Sequence, residues 1–378
     1  MQTIRELERE HEDFYVPAFV VKVGRRDVVR ELFLTISSVS IDLKEKAAGR
    51  FSFTVASSFD WEFREFKYLQ GEARFDLLDV FSFGAPVEVS IGYGDPAKLE
   101  DRPSMTGIIT ELSTGFTAGG TPELVVSGYD DLYWMTLGKT TRDWEGVPDS
   151  DAVADVVVRN NLVPEVEPTT PIRERIDQQE ETDMAFIERV AQQNGYTFYL
   201  QDGKFIFRLR DNQSSSILEL EWGKGLVGFT PEAKLGRQIT KVVVKGRATA
   251  SGEEVSGSAD ETDVRGDDEP GVNGPQTVGE ASGDTVETTL TIHTAVHTQD
   301  EAEARAKGIM EERSQDFVTG SGESIGLPEI IPGVNLFLGG MGRGFSKTYY
   351  VAEATHTFDS SGYKTTFNVQ ETVIDERA

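Results

Sequence analysis

One pattern is written twice in this chain, and it limits the folds available more than any other feature. Residues 86–131 run from Pro86 to Tyr93, through a glycine turn into Thr106–Phe116, then through Gly119-Gly120 into Glu123–Tyr129. Residues 332–371 repeat the plan with Pro332–Gly340, Tyr350–Phe358 and Gly362–Val369. Each copy reads strand, glycine turn, long strand, glycine turn, strand. Apolar and polar residues alternate at period two, as they must where one face of a strand is buried. Further strands precede each copy, so the reading is one β module built twice.

The stretch before the first copy supports this. Phe19–Val23 reads as strand, Leu32–Leu43 alternates, and Phe51, Phe53 and Val55 continue the alternation. Residues 60–83 mix aromatics with charge, and a helix is expected around Glu72–Val80. Between the copies the texture changes. Asp149-Ser150 caps a short helix carrying Val153, Val156 and Val157, which Asn160-Asn161 ends. Thr182 or Asp183 opens a second helix with the stripe Phe186, Ile187, Val190 and Ala191, and Asn194-Gly195 stops it. A hairpin around Asp202-Gly203 follows. Strands are expected at Arg237–Lys245 and Val286–His293, a helix at Gln299–Phe317, and strands at Val334–Leu338, Tyr349–Phe358 and Tyr363–Val369. Residues 249–285 have little apolar content and read as a solvated or disordered acidic loop.

The fold class is therefore mainly β with an α+β insertion. The expected divisions are a polar tail at 1–15, a first β module at 16–131, an α+β unit at 132–222, and a second β module at 223–378 that carries the acidic loop 249–285.

Composition narrows the chemistry. The 378 residues contain no cysteine, which excludes disulfides, thiolate nucleophiles and Cys-based metal sites. The formal charge is −28, from 65 acidic against 37 basic residues. Such a surface repels nucleic acid and anionic membrane, so neither sequence-specific nucleic-acid binding nor integral membrane association is expected. It also fits a high-salt host. The opening residues have no apolar core of the kind a secretory signal needs.

No catalytic, cofactor-binding or metal-binding residues are assigned. His293 and His297 have the spacing of a zinc helix, but the glutamate of that motif is missing. On a strand, residues four apart stand about 13 Å apart, too far to share an ion. Gly339–Gly344 lacks the Lys-Ser/Thr of a phosphate loop and precedes a strand, so it reads as a tight turn. Glu180-Glu181 is one of many chance acidic pairs, and no Gly-x-Ser-x-Gly elbow is present. Trp61, Phe63, Phe66 and Tyr68 alternate with charges, as packing at a module edge or as anchors of a subunit interface.

Several stretches, taken in order, resemble the late control gene D family. Its members are baseplate hubs of contractile phage tails, the N-terminal part of type VI secretion spike proteins, and hubs of extracellular contractile injection systems. The stretches are Gly128-Tyr-Asp-Asp-Leu132 with the Ser150–Ala154 helix, Gln179–Tyr196 with its hairpin, the Ala-rich Thr298–Met310, Gly326–Val334, and Tyr350–Phe358 with Gly362-Tyr363. The resemblance covers roughly residues 16–375. It implies two tube-protein-like β-barrel or sandwich modules per subunit and a non-enzymatic homotrimer. The implied partners are a separate trimeric spike protein, the inner tube protein, a tube initiator and other baseplate proteins. Such a ring, assembled in a prokaryotic cytoplasm into a phage tail or injection particle, meets a hexameric tube with six modules and a trimeric spike with three subunits. Its lumen would be negatively charged. A tail-associated peptidoglycan hydrolase and another tail-tube or adaptor protein are the competing expectations.

Overall fold

The alternating segments pair into one 14-stranded sheet, twelve strands of which form two sets of six. The first set is β1 (Pro17–Val23), β2 (Thr35–Lys44), β3 (Arg50–Ala56), β4 (Pro86–Tyr93), β5 (Met105–Thr114) and β6 (Leu124–Tyr129). The second is β7 (Leu218–Trp222), β8 (Gly225–Ala233), β9 (Val318–Ile325), β10 (Asn335–Gly339), β11 (Lys347–Asp359) and β12 (Gly362–Glu371). The computed structural model describes residues 1–70, 73–99, 104–210, 215–248, 252–264, 271–283 and 288–374.

The strand order is β2-β3-β6-β5-β4-β1 in the first set and β8-β9-β12-β11-β10-β7 in the second. The correspondence reaches single residues. The β2–β3 register shifts between Ile36 and Ser38, and the β8–β9 register between Leu226 and Gly228. The β5–β6 register shifts between Ile109 and Glu111, and the β11–β12 register between Val351 and Glu353. A bulge puts two residues against one at a single place, so matching bulges on matching strand pairs require matching registers. The pairings agree independently. Val55 faces Ile36 as Ser324 faces Leu226, and Tyr129 faces both Ile108 and Arg50 as Gln370 faces Tyr350 and Thr319. The repeat legible in residues 86–131 and 332–371 thus extends to the strands before it.

The sixth strand breaks the likeness. β1 runs antiparallel to β4, whereas β7 runs parallel to β10. β7 also pairs with β8, so β7–β12 close into a barrel. The protein is mostly β, with that closed barrel and open sheets.

Four apolar cores follow the chain. The first is centred on Phe51, Phe53 and Val89, and the second on Phe186, Phe198 and Phe207. The third lies inside the barrel around Leu336, Tyr349 and Phe367, and the fourth is built on Val242, Ala302 and Met310. The second core belongs to helices α2 (Asp149–Arg159) and α3 (Asp183–Asn194) and to the Tyr196–Gln201/Lys204–Leu209 hairpin.

Four expectations need correction. Residues 1–15 are not a free tail. Gln2 and Thr3 pair with β7, and α1 (Ile4–Glu10) buries Leu7 completely in the barrel core. One leucine in a charged stretch gives no periodicity, so only the fold reveals the contact. Leu218–Trp222, assigned to the middle unit, is a barrel stave with Leu218 and Leu220 fully buried. Alternation marks a strand but not the sheet that strand joins.

The acidic stretch 249–285 is largely ordered where it is described. Glu254–Asp260 pairs along the whole of Lys241–Arg247, which also pairs with Thr289–His293. Val255, Gly257 and Ala259 turn inward against α4 (Gln299–Ser314), while Glu254, Ser256, Ser258 and Asp260 face solvent. Small inward residues hid the alternation. A helix at Gly274–Ser282 follows, capped by Asn273. Residues 249–251, 265–270 and 284–287 of this region, the last including Val286, lie outside the described residues. The helix expected at Glu72–Val80 is a strand at Ala73–Asp76 followed by one turn, Leu77–Val80, capped by Asp76; Glu72 itself is outside the described residues.

Candidate functional site

The two modules meet along a ladder. Val39–Lys44 of β2 pair antiparallel with Phe358–Glu353 of β11, so the modules share one sheet. Lys44 Nζ reaches Glu353 Oε2 at 3.9 Å on the exposed side. Where β2 ends, Glu45 is almost fully buried and forms the hub of a polar cluster. The guanidinium of Arg210, from the end of the α+β hairpin, donates to Glu45 Oε2 at 2.6 Å and to Gln370 Oε1 at 2.5 Å. The Tyr350 hydroxyl donates to Glu45 Oε1, and Arg210 lies over the Tyr350 ring. Burial holds that phenol well above its ordinary range, so it remains a donor. The Lys46 N–H donates to the Phe198 carbonyl at 2.9 Å, and burial pulls the Lys46 ammonium below its usual pKa. Glu45 therefore ties both modules to the α+β unit. Breaking a pair this deep leaves a charge without compensation.

The residues that carried the family resemblance do mechanical work. Asp130 accepts from the backbone N–H of Gly49 at 2.8 Å and of Leu132 at 2.9 Å, fixing the start of β3 to the turn after β6. Burial pushes its carboxyl up to about 7, against those two donors. A Cβ at Gly128 would stand 1.9 Å from the Ile108 carbonyl oxygen, so β5 and β6 approach only with glycine there. Thr182 caps α3 by accepting from Ala185 N–H at 3.1 Å. Asp183 accepts from Asn160 and Gln178 at 2.8 Å each, tying the end of α2 to the start of α3. Gly195 ends α3 in the left-handed conformation, and its missing Cβ leaves the room in which Gly308 of α4 packs.

The histidines are dispersed. His356 is buried on β11. The Ile330 carbonyl, at 3.0 Å from Nε2, can only accept, so Nε2 carries the proton; Nδ1 accepts from the Tyr363 hydroxyl at 2.9 Å. Burial lowers its pKa to about 4. His11 contacts Glu329 at 2.6 Å; burial works against its proton, but the glutamate outweighs this and raises its pKa. His293 ends the Thr289–His293 strand, and His297 lies beyond that strand, before α4. Among the described residues, no group of three or more His, Asp or Glu is placed to hold a metal ion. Gly340 and Gly342 adopt positive φ in a turn closed by a bond from Met341 N–H to Ser346 Oγ. Glu181 is engaged by Arg189 at 2.5 Å. In the aromatic group, Tyr68 is buried in the first core and Phe66 packs against it, while Trp61 is 62% and Phe63 49% exposed. No described helix is long and apolar enough to cross a membrane.

Several solved structures share this fold, among them two tail proteins. The 43 kDa tail protein of prophage MuSo2 from Shewanella oneidensis aligns with TM-score 0.67 and 14% identity, over 95% of this chain and 100% of that one. A tail protein from Neisseria meningitidis MC58 aligns with TM-score 0.66 and 16% identity, over 94% and 97%. The E. coli c3393 protein, a component of the type VI secretion system, aligns with TM-score 0.52 and 12% identity, over 92% and 76%. At these identities the likeness is one of fold. No curated protein matches by sequence. A family model described as "Alg8 N-terminal domain" matches residues 69–360, well over half of the sequence, and the chain belongs to that family.

Proposed function

We propose that this chain is the structural hub of a contractile-tail or injection-system baseplate, a trimer that seats a spike on one side and starts the inner tube on the other. The observation that carries the reading is the duplication: two six-strand sets with the same order and the same two bulges, fused into one sheet by β2 and β11. Three copies then present six similar modules to a six-fold tube and keep three-fold symmetry for a trimeric spike. Tail proteins with the same fold support it. The domain reading that accompanies it is a first module at 16–131, an α+β unit after it, and a second module that begins at β7 and recruits residues 1–15. The −28 charge gives such a ring an acidic lumen that would not retain passing nucleic acid.

The test is stoichiometry in the assembled particle. Three copies per particle is the expected result. Six copies in each stacked ring means a tube protein instead, and digestion of purified cell wall by the isolated chain means a hydrolase. A monomer that ignores its spike overturns the hub reading.

A further inference from the structure

We propose that the unpaired half of β5 in one molecule pairs antiparallel with the unpaired half of β8 in the next, repeating between copies the ladder that joins β11 to β2 within one copy. The number of copies rests on the hub reading; the pairing and its register rest on the residue correspondence alone.

β11 uses one of its edges twice. Lys347–Tyr350 pair with β10, and beyond the bulge Glu353–Phe358 pair with β2. β5 repeats only the first half of this, with Met105–Ile108 paired to β4. Beyond its own bulge, Glu111–Thr114 pair with β6 on one side, and no described strand pairs with the other. β8 is the counterpart of β2. It pairs with β7 only at Gly225 and Leu226, and from Gly228 onward its sole described partner is β9. The two strand segments that meet inside the molecule therefore have two unpartnered equivalents, on different modules. An exposed edge of this kind is a template for another strand.

The register transfers directly. In the existing ladder Glu353 faces Lys44, Ala354 faces Leu43 and Thr355 faces Asp42. Carried over through the bulges, Glu111 faces Lys234, Leu112 faces Ala233 and Ser113 faces Glu232. The side chains match this placement. Glu353 and Lys44 form an ion pair, and their equivalents are again a glutamate and a lysine. Ala354 opposite Leu43 becomes Leu112 opposite Ala233, the same two volumes exchanged across the ladder. Phe358 becomes Phe116, which is 68% exposed in the single chain.

Glu111 now contacts Arg50 at 2.8 Å and Lys234 contacts Glu232 at 2.6 Å, both on the surface, where such pairs exchange at little cost. Pro231 stands where Ile41 stands and has no N–H to donate, which also restrains the edge from pairing with other strands. Because β5 of one copy meets β8 of the next, the contact is head-to-tail and must close into a ring or run on as a filament.

The chain has no cysteine, so a pair of introduced thiols reports the register without interference. The full chain with Leu112→Cys and Ala233→Cys, mildly oxidised, should give a covalent closed trimer on denaturing mass measurement. Directly opposed strand residues have Cβ atoms about 5 Å apart, close enough to bridge after small adjustment. The pair Leu112→Cys with Leu235→Cys, two residues out of register, should give at least tenfold less. Glu111→Lys should reduce the first cross-link several-fold, and adding Lys234→Glu should restore it, with circular dichroism confirming the fold of each variant. Native trimers that never cross-link overturn the ladder and leave the hub reading standing. Closed cross-linked rings of another number uphold the ladder and overturn the three-copy reading. A chain that stays monomeric and uncross-linked even with its spike present overturns both.

Discussion

The two β modules solve one packing problem with opposite distributions of bulk. Across four neighbouring strands the first module places Val39, Phe53, Val126 and Leu112 side by side. At the equivalent places the second has Phe229, Gly322, Phe367 and Ala354. Medium-large-medium has become large-small-large, and a Cβ on Gly322 would stand 2.4 Å from the Phe367 ring. Dense packing constrains how neighbouring side chains fill the space between them rather than the residue at a single site, which is why the repeat is clear in hydrogen bonding and faint in sequence. The same exchange recurs where the modules meet, as Ala354 opposite Leu43. A second contrast concerns polarity. The junction inside the chain carries a buried charge at Glu45, whereas the equivalent position of the second module is Leu235, apolar and 40% exposed.

That contrast is broken most forcefully at the junction. Arg210→Met leaves the buried Glu45 without its cation and should cost about 3–5 kcal/mol, read as a fall in urea midpoint. Leu235→Ala, at the equivalent place, should change stability by less than about 0.5 kcal/mol. Next comes His356, whose counterpart in the first module is Thr114. The folded site refuses a proton until pH about 4, whereas the unfolded chain accepts one near 6.5. The unfolded state binds more protons between those values, so stability falls as pH drops from 6.5 to 4. The loss should be on the order of 3 kcal/mol for this group. His356→Gln should flatten that part of the stability–pH curve; an unchanged slope would assign it to other groups.

The exchange of bulk can be tested as a transplant. Gly322→Phe alone overpacks the row and should cost about 1–3 kcal/mol or more. Adding Phe367→Val removes the ring that the new side chain meets and should recover at least half of the loss, a coupling that a double-mutant cycle measures. Additive effects would mean that the two rows are not equivalent. At the exposed Lys44–Glu353 pair the effect is also small, and Glu353→Gln should cost less than about 1 kcal/mol of monomer stability.

Much of the fold could be read directly from the residues. Period-two alternation located β2, β3, β5, β6, β11 and β12. The apolar stripe Phe186, Ile187, Val190 and Ala191, stopped by Asn194-Gly195, located α3 within the accuracy with which helix ends are defined. The family resemblance was carried by residues such as Asp130 and Gly195, whose roles are local turns and close approaches, so their types were fixed by short-range geometry. The candidate site was less legible. Glu45, Arg210, Tyr350 and Gln370 are distant in sequence and look like ordinary surface residues, so no motif could gather them. The ordered strand Glu254–Asp260 escaped because its inward residues include Gly257 and Ala259, too small to register as an apolar stripe.

By itself the sequence determined that a β unit occurs twice, that an α+β unit separates the copies, and that the chain carries a charge of −28. These follow from local alternation, turn chemistry and composition, which act over a few residues at a time. Only the tertiary structure decided that residues 1–7 join the second module, that β7 closes a barrel, and that β2 and β11 fuse the modules while β5 and β8 keep open edges. Strand edges all offer the same N–H and C=O groups, so which edges pair is set by how the packed modules face one another.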